Sequence, residues 1–83
     1  MTPMTKTEIE DKVKAFLIED FEIDEAKILP EARLTDDLDI DSLDLVDIIV
    51  IIHKTFGFMP KIEELANVGT FDELCNYIKR RTN

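Results

Sequence analysis

The sequence has almost no cysteine and no long hydrophobic run. Its single cysteine cannot form an intramolecular disulfide, which excludes the cross-linked scaffolds of small secreted proteins and indicates a reducing compartment. The longest aliphatic run, Ile48–Ile52, is five residues, far below the roughly 20 that a membrane-spanning helix needs. The first six residues contain no apolar core of a secretion signal. We therefore expect a cytoplasmic chain that does not insert into membranes.

Positive charge is also scarce. Ten lysines and arginines stand against nineteen aspartates and glutamates, for a net charge of -9. A field of this sign repels phosphate backbones and anionic lipids, which argues against nucleic acids and membrane surfaces as partners and favours basic protein surfaces and cations. The 83 residues suffice for one small domain, which we expect to span residues 1–83 with a core at about 7–80, and to be a monomer.

The apolar residues recur at helical spacing, and no segment alternates as a strand does. A first helix is predicted from about Thr7 to Asp20, capped by Thr5 or Thr7, because each of these threonines has a glutamate three residues later. A last helix should follow the capping pair Thr70 and Glu73. The residues expected to be buried on these two helices are Ile9, Val13, Phe16, Leu17, Phe71, Leu74, Cys75 and Ile78.

A second long helix is predicted to begin at Asp41 or Ser42, since either side chain can accept hydrogen bonds from the first turn. Gly57 supplies its C-terminal stop. Its best buried stripe is Leu45, Ile48, Ile49, Ile52 and Phe56. A short helical turn is predicted at Lys61 to Ala66, so that three longer helices and one short helix make an all-α four-helix bundle.

The segment between the first two long helices, residues 21–41, has no sustained period and contains Pro30. We expect a long connection held by single apolar anchors, and such a loop often carries function in a compact domain. The predicted anchors are Ile23, Ile28, Leu29, Leu34 and Leu38.

Acidic residues are concentrated around the start of the second helix. Residues 31–50 contain seven acids and one base, Arg33. The alternation Asp37, Asp39, Asp41 resembles the opening of a calcium-binding loop, but Ser42 and Ile48 then stand where the loop needs a glycine and a bidentate glutamate. We therefore predict no metal site.

Catalysis has no residue set to support it. Hydrolysis would pair Ser42, as nucleophile, with His53, the sole histidine. On one helix these residues lie ~16 Å apart along the axis, which is beyond hydrogen-bond reach. We predict that the chain is not an enzyme and has no catalytic residue.

Ser42 has a second interpretation, because a serine at a helix N-terminus faces exposed backbone N–H groups and the positive end of the dipole. An attached phosphate ester would be stabilised there. The plainer alternative is an ordinary capping serine, and position alone leaves both open.

The segment from Asp37 to Asp47 resembles the attachment site of acyl carrier proteins, in which Asp-Ser-Leu carries phosphopantetheine on the serine. Here that tripeptide is Asp41-Ser42-Leu43. The context also matches: a long loop before it, a helix ending in Thr55-Phe56-Gly57 after it, and a capped last helix at Thr70. The resemblance extends from about Ile9 to Ile78.

This resemblance implies that Ser42 carries covalent 4'-phosphopantetheine, added from coenzyme A by a phosphopantetheinyl transferase, with Asp41 and Leu43 flanking it. Acyl groups would travel as thioesters on the arm to fatty-acid or polyketide-type enzymes such as ketoacyl synthases and acyl transferases. Partner enzymes would contact Asp44, Val46, Asp47 and Val50, together with Asp41 and Leu43. These residues lie outside the buried stripe, where acids can steer association and aliphatic side chains supply short-range contact.

Two features depart from the family pattern. Asp39 stands where a glycine is common, and aspartate tolerates left-handed backbone better than most residues. His53 and Lys54 stand where many relatives have glutamates, which leaves a specialised carrier open. The remaining alternatives are an aminoacyl or peptidyl carrier and a small acidic cation-binding or interaction protein with an unmodified Ser42.

Overall fold

A computed structural model describes residues 5–82 as four α-helices joined by loops. The helices are α1 (Lys6–Phe21), α2 (Ser42–Phe56), α3 (Ile62–Ala66) and α4 (Phe71–Thr82), and a 3-10 turn covers Glu25–Lys27. Three of them are long and one is short, which confirms the predicted all-α four-helix fold. The expectation that the first six residues contain no secretion signal falls mainly on residues 1–4, which lie outside the described residues.

The start of α1 is set by a reciprocal cap. The Thr5 hydroxyl accepts from the Glu8 N–H at 3.2 Å, and the Glu8 carboxylate accepts from the Thr5 N–H at 3.3 Å. Of the two threonines that the sequence offered, Thr5 is therefore the cap. All four residues predicted to face the core of α1 are buried: Ile9, Val13, Phe16 and Leu17.

The connection between α1 and α2 is held by a partly different set of anchors from the one that the sequence indicated. Ile28, Leu34 and Leu38 are buried as predicted. Leu29 is wrong as an anchor, because it is 49% exposed. Ala32 and Ile40, which the aperiodic sequence did not single out, are buried at 5% and 2% exposure.

Backbone hydrogen bonds join this connection to the start of α4. The Leu34 N–H donates to the Gly69 carbonyl at 3.0 Å, and the Phe71 N–H donates to the Ala32 carbonyl at 2.9 Å. A third bond, from the Ile40 N–H to the Leu34 carbonyl at 2.9 Å, folds the loop back on itself just before α2. The first two bonds join residues far apart in sequence, so no local pattern predicts them. They hold the segment that leads into α2 in one place.

Asp39 adopts the left-handed backbone conformation, with φ of 56°. We expect Asp39→Gly to be more stable than Asp39→Ala by about 1 kcal/mol, because a Cβ is disfavoured at positive φ. Both variants remove the same negative charge, so their difference in free energy of unfolding, measured by urea denaturation, reports the backbone alone. Equal stability would contradict a strained left-handed turn at this position.

The C-terminal pair of helices is tied together by a polar and aromatic cluster. The Tyr77 hydroxyl donates to the Glu64 carboxylate at 2.8 Å, and the Arg81 guanidinium donates to the same carboxylate at 3.0 Å. The Arg81 guanidinium also lies 5.1 Å from the centroid of the Phe58 ring. This cluster holds the short α3 against α4.

Among residues 5–82, none of the helices combines the length and the apolar character that a membrane-spanning helix needs.

Candidate functional site

The N-terminus of α2 is capped by Asp41. One carboxylate oxygen of Asp41 accepts from the N–H groups of Leu43 and Asp44, both at 3.0 Å. In return, the Asp44 carboxylate accepts from the Asp41 N–H at 3.2 Å. The sequence left Asp41 and Ser42 as alternative caps, and the structure assigns the cap to Asp41. Ser42 becomes the first residue inside the helix.

Ser42 is exposed, and its hydroxyl makes no hydrogen bond among residues 5–82. The N–H groups of Leu43 and Asp44 in the first turn of α2 are taken by Asp41, so they are not among the exposed N–H groups that an attached anion could use. The positive end of the helix dipole still favours an attached phosphate.

This arrangement fits a group that has to swing freely. A phosphodiester on the Ser42 oxygen would lie in solvent, and the carboxylates of Asp41 and Asp44 would repel it from the helix end. The serine hydroxyl is not consumed by capping, so its modification would leave the first turn of α2 intact. The residues present at this site therefore fit the phosphopantetheine group that the resemblance to acyl carrier proteins implied.

The predicted partner residues share the solvent side of α2. Leu43 is 79% exposed, Val46 50% and Val50 45%. Asp47 is exposed and Asp44 is half-buried. We call these five residues the α2 surface. Aliphatic side chains exposed to this degree next to acids make a mixed patch that can bind a protein through a small apolar area and attract it by charge.

The buried side of α2 is narrower than predicted. Only Ile48 and Ile52 of the predicted stripe are fully buried. The other three members of the stripe are half-buried: Leu45, Ile49 and Phe56. Gly57 ends the helix with φ of 83°, as predicted, and its N–H donates to the His53 carbonyl.

The sequence interpretation missed a groove beside the α2 surface. It has a volume of about 430 Å³ and lies between the end of α1, at Asp20 and Phe21, and one side of α2. The helical spacing of Asp47, Val50 and Lys54 places those residues on one side of α2, but nothing local indicates that the end of α1 lies against it. Phe21 was predicted only to begin the loop.

Residues 5–82 contain no group of three or more His, Cys, Asp or Glu side chains that could hold a metal ion. A cavity of about 360 Å³ beside the start of α2 is lined by several carboxylates, including Asp37, Asp39 and Asp44. His53 is exposed on α2.

The structure is a small helical bundle with an exposed serine at the start of an acidic and apolar helix, which is the arrangement that the resemblance to carrier proteins implied. The family model for the phosphopantetheine attachment site matches residues 11–78. The acyl carrier protein of Petrotoga mobilis is 36% identical over 80 residues, which covers 96% of this chain and 94% of the relative.

Two further relatives are also acyl carrier proteins. The acyl carrier protein of Thermotoga maritima is 35% identical over 77 residues, covering 93% of this chain and 95% of its own. Acyl carrier protein 2 of Ralstonia nicotianae is 36% identical over 76 residues, covering 92% and 94%.

The chain belongs to the acyl carrier protein family. It is a carrier of acyl groups and not an enzyme, and its prosthetic group is covalent 4'-phosphopantetheine. Its role involves a transferase that adds this group and enzymes that process the acyl cargo.

Proposed function

We propose that Ser42 is the residue that carries phosphopantetheine. The supporting observation is an exposed hydroxyl, free of hydrogen bonds within residues 5–82, on the first residue of α2. In the attachment reaction a bond forms between the Ser42 oxygen and the phosphorus next to the pantetheine of coenzyme A. The bond from that phosphorus to the adenosine bisphosphate breaks, and the serine proton passes to a base of the transferase.

The chain contributes position and recognition. When bound, the prosthetic group supplies a thiol whose thioesters transfer acyl groups more readily than a serine ester would. Asp41 holds the first turn of α2 in place beneath Ser42 and, with Leu43, flanks the attachment point. The α2 surface then binds successive enzymes weakly and quickly. Its acids raise the association rate, and because few contacts are buried, dissociation is also fast.

The cargo pathway that we propose is fatty-acid or polyketide-type synthesis, with ketoacyl synthases and acyl transferases as partners. The second half of α2 carries His53 and Lys54 and is less acidic than the first half, which favours a carrier specialised for its own synthase. We further propose a cytoplasmic monomer with one domain spanning residues 1–83. A net charge of -9 opposes self-association.

The experiment that tests this function is enzymatic loading followed by mass spectrometry. The purified chain is incubated with coenzyme A and a broad-specificity phosphopantetheinyl transferase, and its intact mass is measured. We expect the gain of one phosphopantetheine, located by fragmentation at Ser42. No gain in mass, or a group located on another residue, would overturn the proposal.

Replacing Asp47 with lysine should slow association with a partner roughly three- to tenfold at low salt while changing stability little. Asp47 is exposed and has no ion-pair partner among residues 5–82, so its charge acts through long-range attraction. The measurement is the second-order rate of transferase loading below saturation.

Asp11→Lys is the matched control, because Asp11 is an exposed acid in the first half of α1 and makes the same change in net charge. It should slow loading less than Asp47→Lys does. Equal effects of the two variants would remove Asp47 from the contact surface and leave only a net-charge effect.

A further inference from the structure

The groove between α1 and α2 adjoins the α2 surface and shares two residues with it. Its apolar lining comes from Phe21, Val50 and Ile51. Because Asp47 and Val50 belong to both features, a partner that contacts the α2 surface also reaches the groove. A volume of about 430 Å³ is ample for one large apolar side chain.

The charges around the groove are of two signs. Two acidic residues, Asp20 and Asp47, and one basic residue, Lys54, line it. The ion pairs found within residues 5–82 are Lys6–Asp72, Arg33–Asp36 and Arg81–Glu64. In the described part of the chain, none of the three charged residues of the groove therefore forms an ion pair.

The separation of these charges follows from the helix. Asp47 and Lys54 lie two turns apart on nearly the same side of α2, which is ~10 Å along the axis. Val50 and Ile51 lie between them. A docking segment that places an apolar side chain over Val50 and Ile51 would thus meet a negative charge on one side and a positive charge on the other.

Given the carrier function proposed above, on which this inference rests, we propose that the groove binds a protein segment of mixed charge from an acyl-processing enzyme. That segment inserts one apolar side chain, places a basic group against Asp47, and places an acidic group against Lys54. A wholly basic segment would be attracted by the net charge of the chain but repelled locally by Lys54.

The test uses two synthetic helical peptides with the same length and the same apolar positions. The mixed peptide carries arginines in its first turn and glutamates in its last turn, and in the basic peptide those glutamates are lysines. Each is titrated at low salt into the isotope-labelled chain, and amide chemical shifts give both the affinity and the location. We expect the shifts of the mixed peptide to centre on Phe21, Val50 and Ile51.

The decisive comparison is between Lys54→Glu and Lys79→Glu, which change the net charge equally. Lys79 is exposed on α4 and does not line the groove. Lys54→Glu should weaken the mixed peptide about threefold, as expected for an exposed ion pair, and strengthen the basic peptide. Lys79→Glu should leave the affinity for the mixed peptide unchanged.

Three results would overturn the inference: equal affinity of wild type and Lys54→Glu for the mixed peptide, shifts centred elsewhere, or no binding of either peptide. Its failure is separable from failure of the carrier function. If the chain gains phosphopantetheine at Ser42 but binds the mixed peptide equally well with lysine or glutamate at position 54, the carrier proposal stands and this inference fails. A chain that gains no group loses the carrier proposal whatever the peptides do.

Discussion

Replacing Ser42 with alanine is expected to abolish attachment of phosphopantetheine completely and to leave the fold unchanged. The serine oxygen is the atom that would bond to phosphorus, and Ser42 is the only serine in the sequence, so no second serine can replace it. Its hydroxyl caps nothing, because Asp41 accepts the N–H groups of the first turn. Alanine is the best helix former, so the helix itself should not weaken.

The measurements are the intact mass after loading and the melting temperature by circular dichroism. We expect no added mass on Ser42→Ala and a melting temperature within a few degrees of wild type, since surface substitutions usually change stability by less than about 0.5 kcal/mol. Thr35→Ala is the control, because it removes another exposed hydroxyl from the loop before α2 and should load like wild type. Loading of Ser42→Ala at the wild-type rate would refute the assignment of the site.

Cys75 should resist alkylation in the folded chain about a thousandfold more strongly than an ordinary thiol at pH 8. Burial raises the pKa of its thiol from 9.0 to about 12, and the side chain is fully buried on α4. The reactive species is the thiolate, whose fraction at pH 8 falls tenfold for each unit by which the pKa rises. Since the pKa is raised, the alkylation rate should climb tenfold per pH unit and continue to climb above pH 9.

This contrast allows the thiol of the prosthetic group to be counted separately. With iodoacetamide at pH 8, the unloaded chain should gain no alkyl group and the loaded chain should gain one. In denaturant, each form should gain one more group, at Cys75. Cys75→Ala should gain none when unloaded, even after denaturation. Rapid alkylation of the native, unloaded chain would show that Cys75 is accessible, and thiol counting could then not identify the arm.

The helices were predictable because their signals are local. The capping pair Thr5 and Glu8, the stop at Gly57 and the buried spacing on α4 involve residues within a few positions of each other, and each is present in the structure. The proposal of Ser42 as the attachment residue also rests on a local signal, since Asp41, Ser42 and Leu43 are adjacent. The exposure of Leu43, Val46 and Val50 was also predictable, because helical spacing places them outside the buried stripe of α2.

The loop between α1 and α2 was predicted less well. Its backbone bonds to Gly69 and Phe71 join positions far apart in the sequence. Leu29 and Ala32 show the consequence: the larger apolar side chain is exposed and the smaller one is buried, because the path of the loop decides which of them faces the core. Hydrophobicity alone would predict that Leu29 is buried and Ala32 is exposed.

By itself the sequence determined the helical class, the limits of the helices and the serine at the start of α2, because periodicity, caps and adjacent residues are encoded within a turn or two of chain. The choice of Asp41 over Ser42 as the cap of α2 is also local, but the sequence left it open and the structure settled it. Only the tertiary structure decided which loop residues are buried and that the end of α1 forms a groove with Asp47, Val50 and Lys54. Both outcomes depend on which segments of the chain are in contact, and that is fixed by packing between residues that are distant in sequence.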